Sequence, residues 1–430
     1  MTRIYSLQKW ILVILLLSSA LIFNPFINTE VFEFPKILAL IFTSGLLTVI
    51  TIIDIQLNKL PKIDLGNSKK ALLCLGIIFL TQILSYIFST DRSVSLMGEE
   101  LRYQGLLTNL HYLLLVLNTF YFFIKHQDEK TNSVFKWLII SLVVSCIFAV
   151  MPYFFPKPFP FYFFTPDSFF NRVYGTFGNP NYLAVFIIGT LPFLIFHKNL
   201  KKIFLYPTIL FCLITLFLTG SRSAWISSIL AFLIIGILLV IKNKNYKTLI
   251  VTTGIIALSI FAVTIKKYAV PIIPQFERLS LDTEKSTSIQ TRLHLWKAGL
   301  EMSLKKTLTG YGQDMIQKNI EPYLPTYLKP NDEFFIDRTH SEFIDILVSG
   351  GIFNLLAYIS LLILVLTKSA KTIIINKIVD PNFLASFTAL TGIIIFHAVN
   401  FSITSSNILL YFLLGYLLAK NISVYSDHKS

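Results

Sequence analysis

The stretch DRTHSEFIDILVSGG, from Asp337 to Gly351, sets an arginine, a histidine and three carboxylates directly against an apolar run. That run, Phe343 to Leu366, exceeds the roughly 20 residues a helix needs to cross a bilayer. Charges at a membrane edge are costly to hold there, so a histidine in this position asks for a reason. The apolar half of the pattern recurs along the chain. Of 430 residues, 54% are hydrophobic and only 14% are charged, where a soluble domain carries about a quarter charged residues. The mean hydropathy is +0.68.

Candidate spans lie near 10–27, 36–54, 71–89, 105–124, 135–155, 181–197, 203–219, 223–241, 248–265, 343–366, 383–400 and 404–419. The sequence therefore predicts an all-α, polytopic transmembrane helical bundle of about 12 spans. The first run has the length of a secretory signal, but no small-x-small cleavage site follows it, and Asn24-Pro25-Phe26 stands there instead. It reads as a retained helix. The whole chain, 1–430, reads as a single integral membrane domain, with a large extracytoplasmic loop over 266–342. In that loop Leu293, Trp296, Leu300 and Leu304 recur at helical spacing, with Lys297, Glu301 and Lys305 on another face. An amphipathic helix lying on the bundle or on the membrane surface is expected.

The formal net charge of +14 would suggest nucleic acid in a soluble protein. Here topology accounts for it. With both termini cytoplasmic, Lys59, Lys62, Lys69, Lys70, Lys125, Lys198, Lys242, Lys368 and Lys371 fall in inner segments, and the short outer loops are sparse in Lys and Arg. No nucleic acid partner is expected. Cys74, Cys146 and Cys212 all fall inside spans and read as small buried apolar residues.

The arginines sort differently. The chain holds 29 Lys and 8 Arg, and Arg92, Arg102, Arg172, Arg222, Arg278, Arg292 and Arg338 all map to the outer side. Lysine is enough to set orientation. Arginine adds a rigid fork of donors that matches phosphate bidentately. An outer face that selects arginine points to a phosphate or diphosphate ligand. Arg222 sits in LTGSRSAW, a tight turn at a helix N-terminus, which itself favours anions. Arg172 precedes GTFGNPN, where Asn179 and Asn181 suit both a turn and contact with a sugar or phosphate. His340 has Arg338, Glu342 and Asp345 near it in sequence. A carboxylate can fix the tautomer of an imidazole, and a neutral imidazole can take a proton from an attacking hydroxyl. No second His or Cys stands at ligand spacing, so no metal is expected. Dinucleotide and P-loop patterns are absent, and no cofactor is expected.

At these residues the chain resembles the O-antigen ligase family of membrane glycosyltransferases. The likeness runs in order through STDRSVSLMGEELRYQGLLT, GTFGNPNYLA, TGSRSAWI, TRLHLWKAGLEMSLKKTLTGYG, RTHSEFIDILVSGG and FHAVNFSITSSNILLYFLLGYLLA, covering most of 85–420. Two positions depart from the family pattern. Asn354 replaces the second glycine of a Gly-x-x-Gly, and Thr307 stands where a proline often precedes the Gly-x-Gly turn.

The resemblance implies a GT-C-like bundle in a bacterial cytoplasmic (inner) membrane, with the active site facing outside. It implies a polyprenyl-diphosphate-linked glycan as donor and a glycan, a lipid A-core-like molecule or a protein as acceptor, among membrane lipids. Arg222 and Arg292 would grip the diphosphate, with Arg172, Arg102, Arg338, Asn179 and Asn181 in support. His340 would act on the acceptor hydroxyl in a metal-independent, inverting transfer. A polysaccharide polymerase or a protein O-glycosylating ligase shares this pattern. A transporter of lipid-linked sugars would instead place ionisable residues near the bilayer midplane.

Overall fold

The computed structural model describes residues 2–24, 26, 31–58, 68–100, 102–126, 132–155, 172–243, 287–329 and 336–426. Among the described residues every regular element is helical. In chain order these are α1 (Thr2–Leu21), α2 (Glu33–Asn58), α3 (Ser68–Ile87), α4 (Arg92–Met97), α5 (Leu106–Lys125), α6 (Val134–Val150), α7 (Pro180–Ile195), α8 (Lys202–Leu218) and α9 (Arg222–Asn243). There follow α10 (Thr287–Lys305), α11 (Ile316–Asn319), α12 (Glu342–Ile375), α13 (Pro381–Ala398) and α14 (Thr404–Ser426). Every predicted span but the ninth coincides with one of these helices. That one, at 248–265, lies outside the described residues, as do Arg278 and much of the Pro- and Phe-rich segment at 156–180.

Seven described helices are long and apolar enough to cross a membrane, and α6, α7 and α8 are shorter apolar helices. The protein is a multi-pass helical membrane bundle. Its helices outrun the apolar runs read from sequence. α12 continues past Leu366 through Lys368, Ser369 and Lys371, because helical hydrogen bonding persists where the side chains turn polar.

α14 is the axis of the bundle. From Thr404 to Ala419 all its residues are buried, as expected of a helix that is apolar on all sides. Tyr411 stacks on Tyr112 of α5 with ring centroids 5.2 Å apart. A Cβ added at Gly415 would stand 2.6 Å from the Val116 carbonyl oxygen. In lipid the tails are as apolar as leucine, so such close packing, rather than water exclusion, holds helices together. At one end of the bundle Lys125 pairs with Asp54 at 2.6 Å, and Tyr121 donates to the same carboxylate.

At the opposite end α12 is broken. Gly351 has φ 77° and ψ −178°, inside an otherwise helical segment. A break at membrane depth frees backbone groups that lipid cannot satisfy. The segment after α10 satisfies them. Tyr311 N donates to Val348 O at 2.8 Å, Gly312 N to Ser349 O at 3.0 Å, and Ile352 N to Thr307 O at 2.8 Å. The fit leaves no room for side chains. A Cβ at Gly351 would lie 2.3 Å from Leu308 O, and one at Gly310 would lie 2.3 Å from Ser349 O. The Thr307 carbonyl, the only part of that residue the α12 break requires, is available from any residue type.

α10 meets the protein through a face other than the one the leucine spacing marks. Its buried face is Leu295, Ala298 and Met302, packed with Tyr311, Ile316 and Val348 in a small core of its own. Leu293, Leu300 and Leu304 are exposed instead, at 55%, 48% and 75%. The helix has two apolar faces, one packed on protein and one open.

Gly351→Ala is expected to destabilise the protein by about 1–3 kcal/mol from backbone strain alone, and further through the contact with Leu308. Gly76, where an added Cβ would meet nothing within 4 Å, is the control: Gly76→Ala should be neutral or stabilising by up to about 1 kcal/mol. Thermal unfolding of the two purified variants checks the contrast.

Candidate active site

One buried ion pair, one half-buried ion pair and one short hub segment build the site at the broken end of α12. The hub is Asn400–Phe401–Ser402, between α13 and α14. Asn400 Oδ1 accepts a hydrogen bond from Arg292 at 3.1 Å, and its Nδ2 donates to Ser223 Oγ at 2.8 Å. Its carbonyl accepts the Glu342 backbone N–H at 3.1 Å. Ser402 N donates to Glu342 Oε2 at 2.8 Å. The Phe401 ring lies 5.0 Å from the His340 ring and 4.8 Å from the Arg102 guanidinium. One three-residue turn thus ties α9, α10 and α12 together and gives His340 and Arg102 a common wall.

His340 sits in a turn with φ 61°. Positive φ is uncommon for a residue with a side chain and is costly unless the surroundings enforce it. They do so here. Trp296 Nε1 donates to the His340 carbonyl at 3.3 Å. Thr339, the residue before it, donates through both N–H and Oγ1 to Asp345 Oδ1, at 3.0 and 2.6 Å. The imidazole Nδ1 is buried and has no hydrogen-bond partner within the described residues.

Neither nearby carboxylate orients the ring, contrary to the reading of the sequence. Asp345 Oδ1 is occupied by Thr339, and Glu342 Oε2 by Ser402. The carboxylate whose charge acts on His340 is Asp337. Burial first, and then the positive field of Arg292, lowers the His340 pKa to about 4, with Asp337 pulling the other way. The imidazole is neutral at pH 7. Burial disfavours the Asp337 charge, but Arg102 and Arg338 outweigh it and hold its pKa below the ordinary value.

The other predicted residues divide. Arg102 donates through Nε to Asp337 and through its terminal nitrogen to the Tyr182 hydroxyl. It lies at the site. Arg172 donates to Thr219 O at 2.6 Å and to Asn181 Oδ1 at 3.1 Å. It therefore braces the turn Thr219–Gly220–Ser221 that leads into Arg222. Gly220 takes φ 59° there, and Arg222 is the half-buried first residue of α9. Asn179 caps α7 by accepting from Asn181 N at 2.9 Å, so both asparagines are explained by the turn and by Arg172. Arg338 is buried and paired with Asp314. That pair is a clamp: Asp314 also accepts Glu99 N and Gln104 N at 2.8 and 3.0 Å, and so fixes the loop that carries Arg102.

Asn400, Phe401, Tyr182, Asp337 and Asp314 were not singled out from sequence. For Asn400, Phe401, Tyr182 and Asp337 the only signal there was a place in quoted motifs, because an Asn, a Phe or a Tyr beside an apolar run carries no pattern of its own; Asp314, two residues past TLTGYG, lay in none. Among the described residues no group of three or more His, Cys, Asp or Glu side chains converges to hold a metal ion.

No curated protein matches the chain. A protein-family model does match, over residues 207–359, a stretch that holds Arg222, Arg292, Arg338 and His340: it is the model described as O-antigen ligase.

Proposed function

We propose that this protein is a membrane glycosyltransferase that moves a glycan from a polyprenyl diphosphate carrier to an acceptor hydroxyl. The arginine-bearing end of the bundle faces outside the cell, in the inner membrane. The observation that carries the reading is the Asn400–Phe401 hub. It joins Arg292, the Arg222 turn and a His340 whose Nδ1 has no hydrogen-bond partner among the described residues, and all three arms come from the stretch 207–359 that matches the O-antigen ligase model.

The chemistry follows from these groups. Arg222 and Arg292 bind the diphosphate and stabilise the negative charge that grows on it as the glycosyl–oxygen bond breaks. The acceptor oxygen bonds to the anomeric carbon from the opposite side, so the transfer inverts that centre. Its proton passes to His340. An imidazole with a pKa of about 4 is a weak base at pH 7. The donor corrects this itself. Its diphosphate places negative charge beside Arg292 and offsets the field that lowers the imidazole pKa. His340 thus becomes a competent base only when the donor is bound. The arginines supply the positive charge, and the reaction runs without a divalent ion.

The test is release of polyprenyl diphosphate by the purified protein, given lipid-linked glycan and candidate acceptors in a chelator. Arg222→Ala, Arg292→Ala and His340→Ala should each lower the rate by about 100-fold or more. Near wild-type rates in all three would end the proposal. A product of one fixed size marks a ligase, and a ladder of repeats marks a polymerase.

The titration of His340 gives a second test, by NMR of the labelled imidazole. Arg292→Gln should raise its pKa from about 4 toward the ordinary 6.5, and donor binding should move it the same way. Because the folded pKa lies below the unfolded value, the neutral ring's stabilising share is complete above about pH 6.5 and is lost as pH falls toward 4. His340→Gln should flatten that part of the stability profile. An unchanged pKa in Arg292→Gln would remove the proposed electrostatic coupling.

A further inference from the structure

A polar cavity of about 70 Å³ lies below the His340 loop, where α3, α12, α14 and the segment before α11 meet. Three oxygens on residues that line it are buried and have no donor among the described residues: Asp345 Oδ2, Gln82 Oε1 and Gln313 Oε1. The residues that carry them are only 7%, 7% and 4% exposed. All three atoms are acceptors, and they come from three separate parts of the chain.

The charge around the cavity is also unbalanced. Asp314, Glu342 and Asp345 line it, against the single guanidinium of Arg338. Arg338 is committed to Asp314, and the remaining Asp314 oxygen accepts two backbone N–H groups. Glu342 accepts from Ser402, through its backbone N–H at 2.8 Å and through its side chain. A buried carboxylate without a counter-charge is expensive. Water would satisfy the lone acceptors but would leave the charge. A bound cation answers both. The donor set is one or two carboxylates with amide oxygens, and no trio of acidic, His or Cys side chains converges among the described residues. Such a set suits a singly charged hard ion that keeps some water, better than a divalent one. The setting has the same logic. The cavity is lined by Ser349, beside the break in α12 at Gly351, and interrupted membrane helices are where protein oxygens gather around sodium.

We propose that this cavity is a binding site for a monovalent cation of the sodium class, held by Asp345, Gln82 and Gln313 with Glu342 near it. The site reaches His340 through one side chain. Oδ2 of Asp345 faces the ion, while Oδ1 holds both donors of Thr339. Occupancy therefore stiffens the turn that presents the imidazole. The binding itself does not depend on the reaction proposed above.

The experiment uses the full-length protein in detergent at constant ionic strength, with choline chloride replaced stepwise by sodium chloride. Thermal unfolding and retention of radiolabelled sodium are the readouts. The expected result is a saturable rise in Tm with sodium and retention of about one ion per chain. Both should weaken at least tenfold in Asp345→Asn and in Gln82→Leu. Gln82 lies on α3, away from the His340 turn, so its variant keeps the test valid if Asp345→Asn fails to fold. Equal Tm in choline and sodium with no label retained would overturn the proposal and leave a cavity of water alone. A Tm that follows pH and ignores the cation would also overturn it, since protons would then neutralise the carboxylates.

Discussion

A membrane helix cannot be interrupted unless something satisfies the backbone groups it releases. At Gly351 that requirement falls on the segment Thr307–Gly312, which supplies donors to Val348 and Ser349 and an acceptor to Ile352. Much else depends on this contact. It holds α10 over the end of the bundle, and α10 in turn holds the His340 carbonyl through Trp296. The same break ends the first segment of α12 a few turns below its start, so Glu342 and Asp345 project into a polar interior rather than into lipid. The strained turn at His340 persists because it is fixed on both sides, by Trp296 and by the Thr339–Asp345 bonds.

The bundle was legible in the sequence because lipid imposes a long, unbroken signal. Runs of apolar residues of this length mark helices without ambiguity about type. The sorting of arginine from lysine pointed to one end of the molecule, and the structure brings Arg102, Arg172, Arg292 and Arg338 to that end with the turn that leads into Arg222. What the sequence withheld was pairing. Spacing along the chain placed Glu342 and Asp345 beside His340, whereas helix geometry turns both carboxylates to other partners. Asp337, three residues before the histidine, is the one that acts on it, because the positive φ at His340 reverses the direction of the chain there. The second apolar face of α10, Leu295, Ala298 and Met302, was hidden for a related reason. A helix with two apolar faces has no single period, and in a membrane protein the more hydrophobic face can be the open one.

Four of the arginines at this end do different work, though composition treats them alike. Arg338 and Asp314 form a buried clamp whose partners are backbone groups of the 99–104 loop. Arg172 braces a turn through a carbonyl and an amide. Arg102 is shared between Asp337, Tyr182 and Phe401. Arg292 is held at the hub by the neutral amide of Asn400. Of these, Arg292 is the arginine whose positive field acts most on His340, followed by Arg102, with Asp337 opposing both.

The open leucine face of α10 sets the protein's height. A helix lying across the end of the bundle, with Leu293, Leu300 and Leu304 bare, rests stably only where one side meets hydrocarbon and the other meets protein. A helix so placed would hold the His340 turn, tied to it through Trp296, at a set height relative to the bilayer surface. A lipid carrier keeps its own headgroup at a set depth by the same physics. Under the proposed function, a lipid-linked donor and the His340 turn would meet by diffusion within a plane, and the search for the donor would lose one dimension before any side chain touches it.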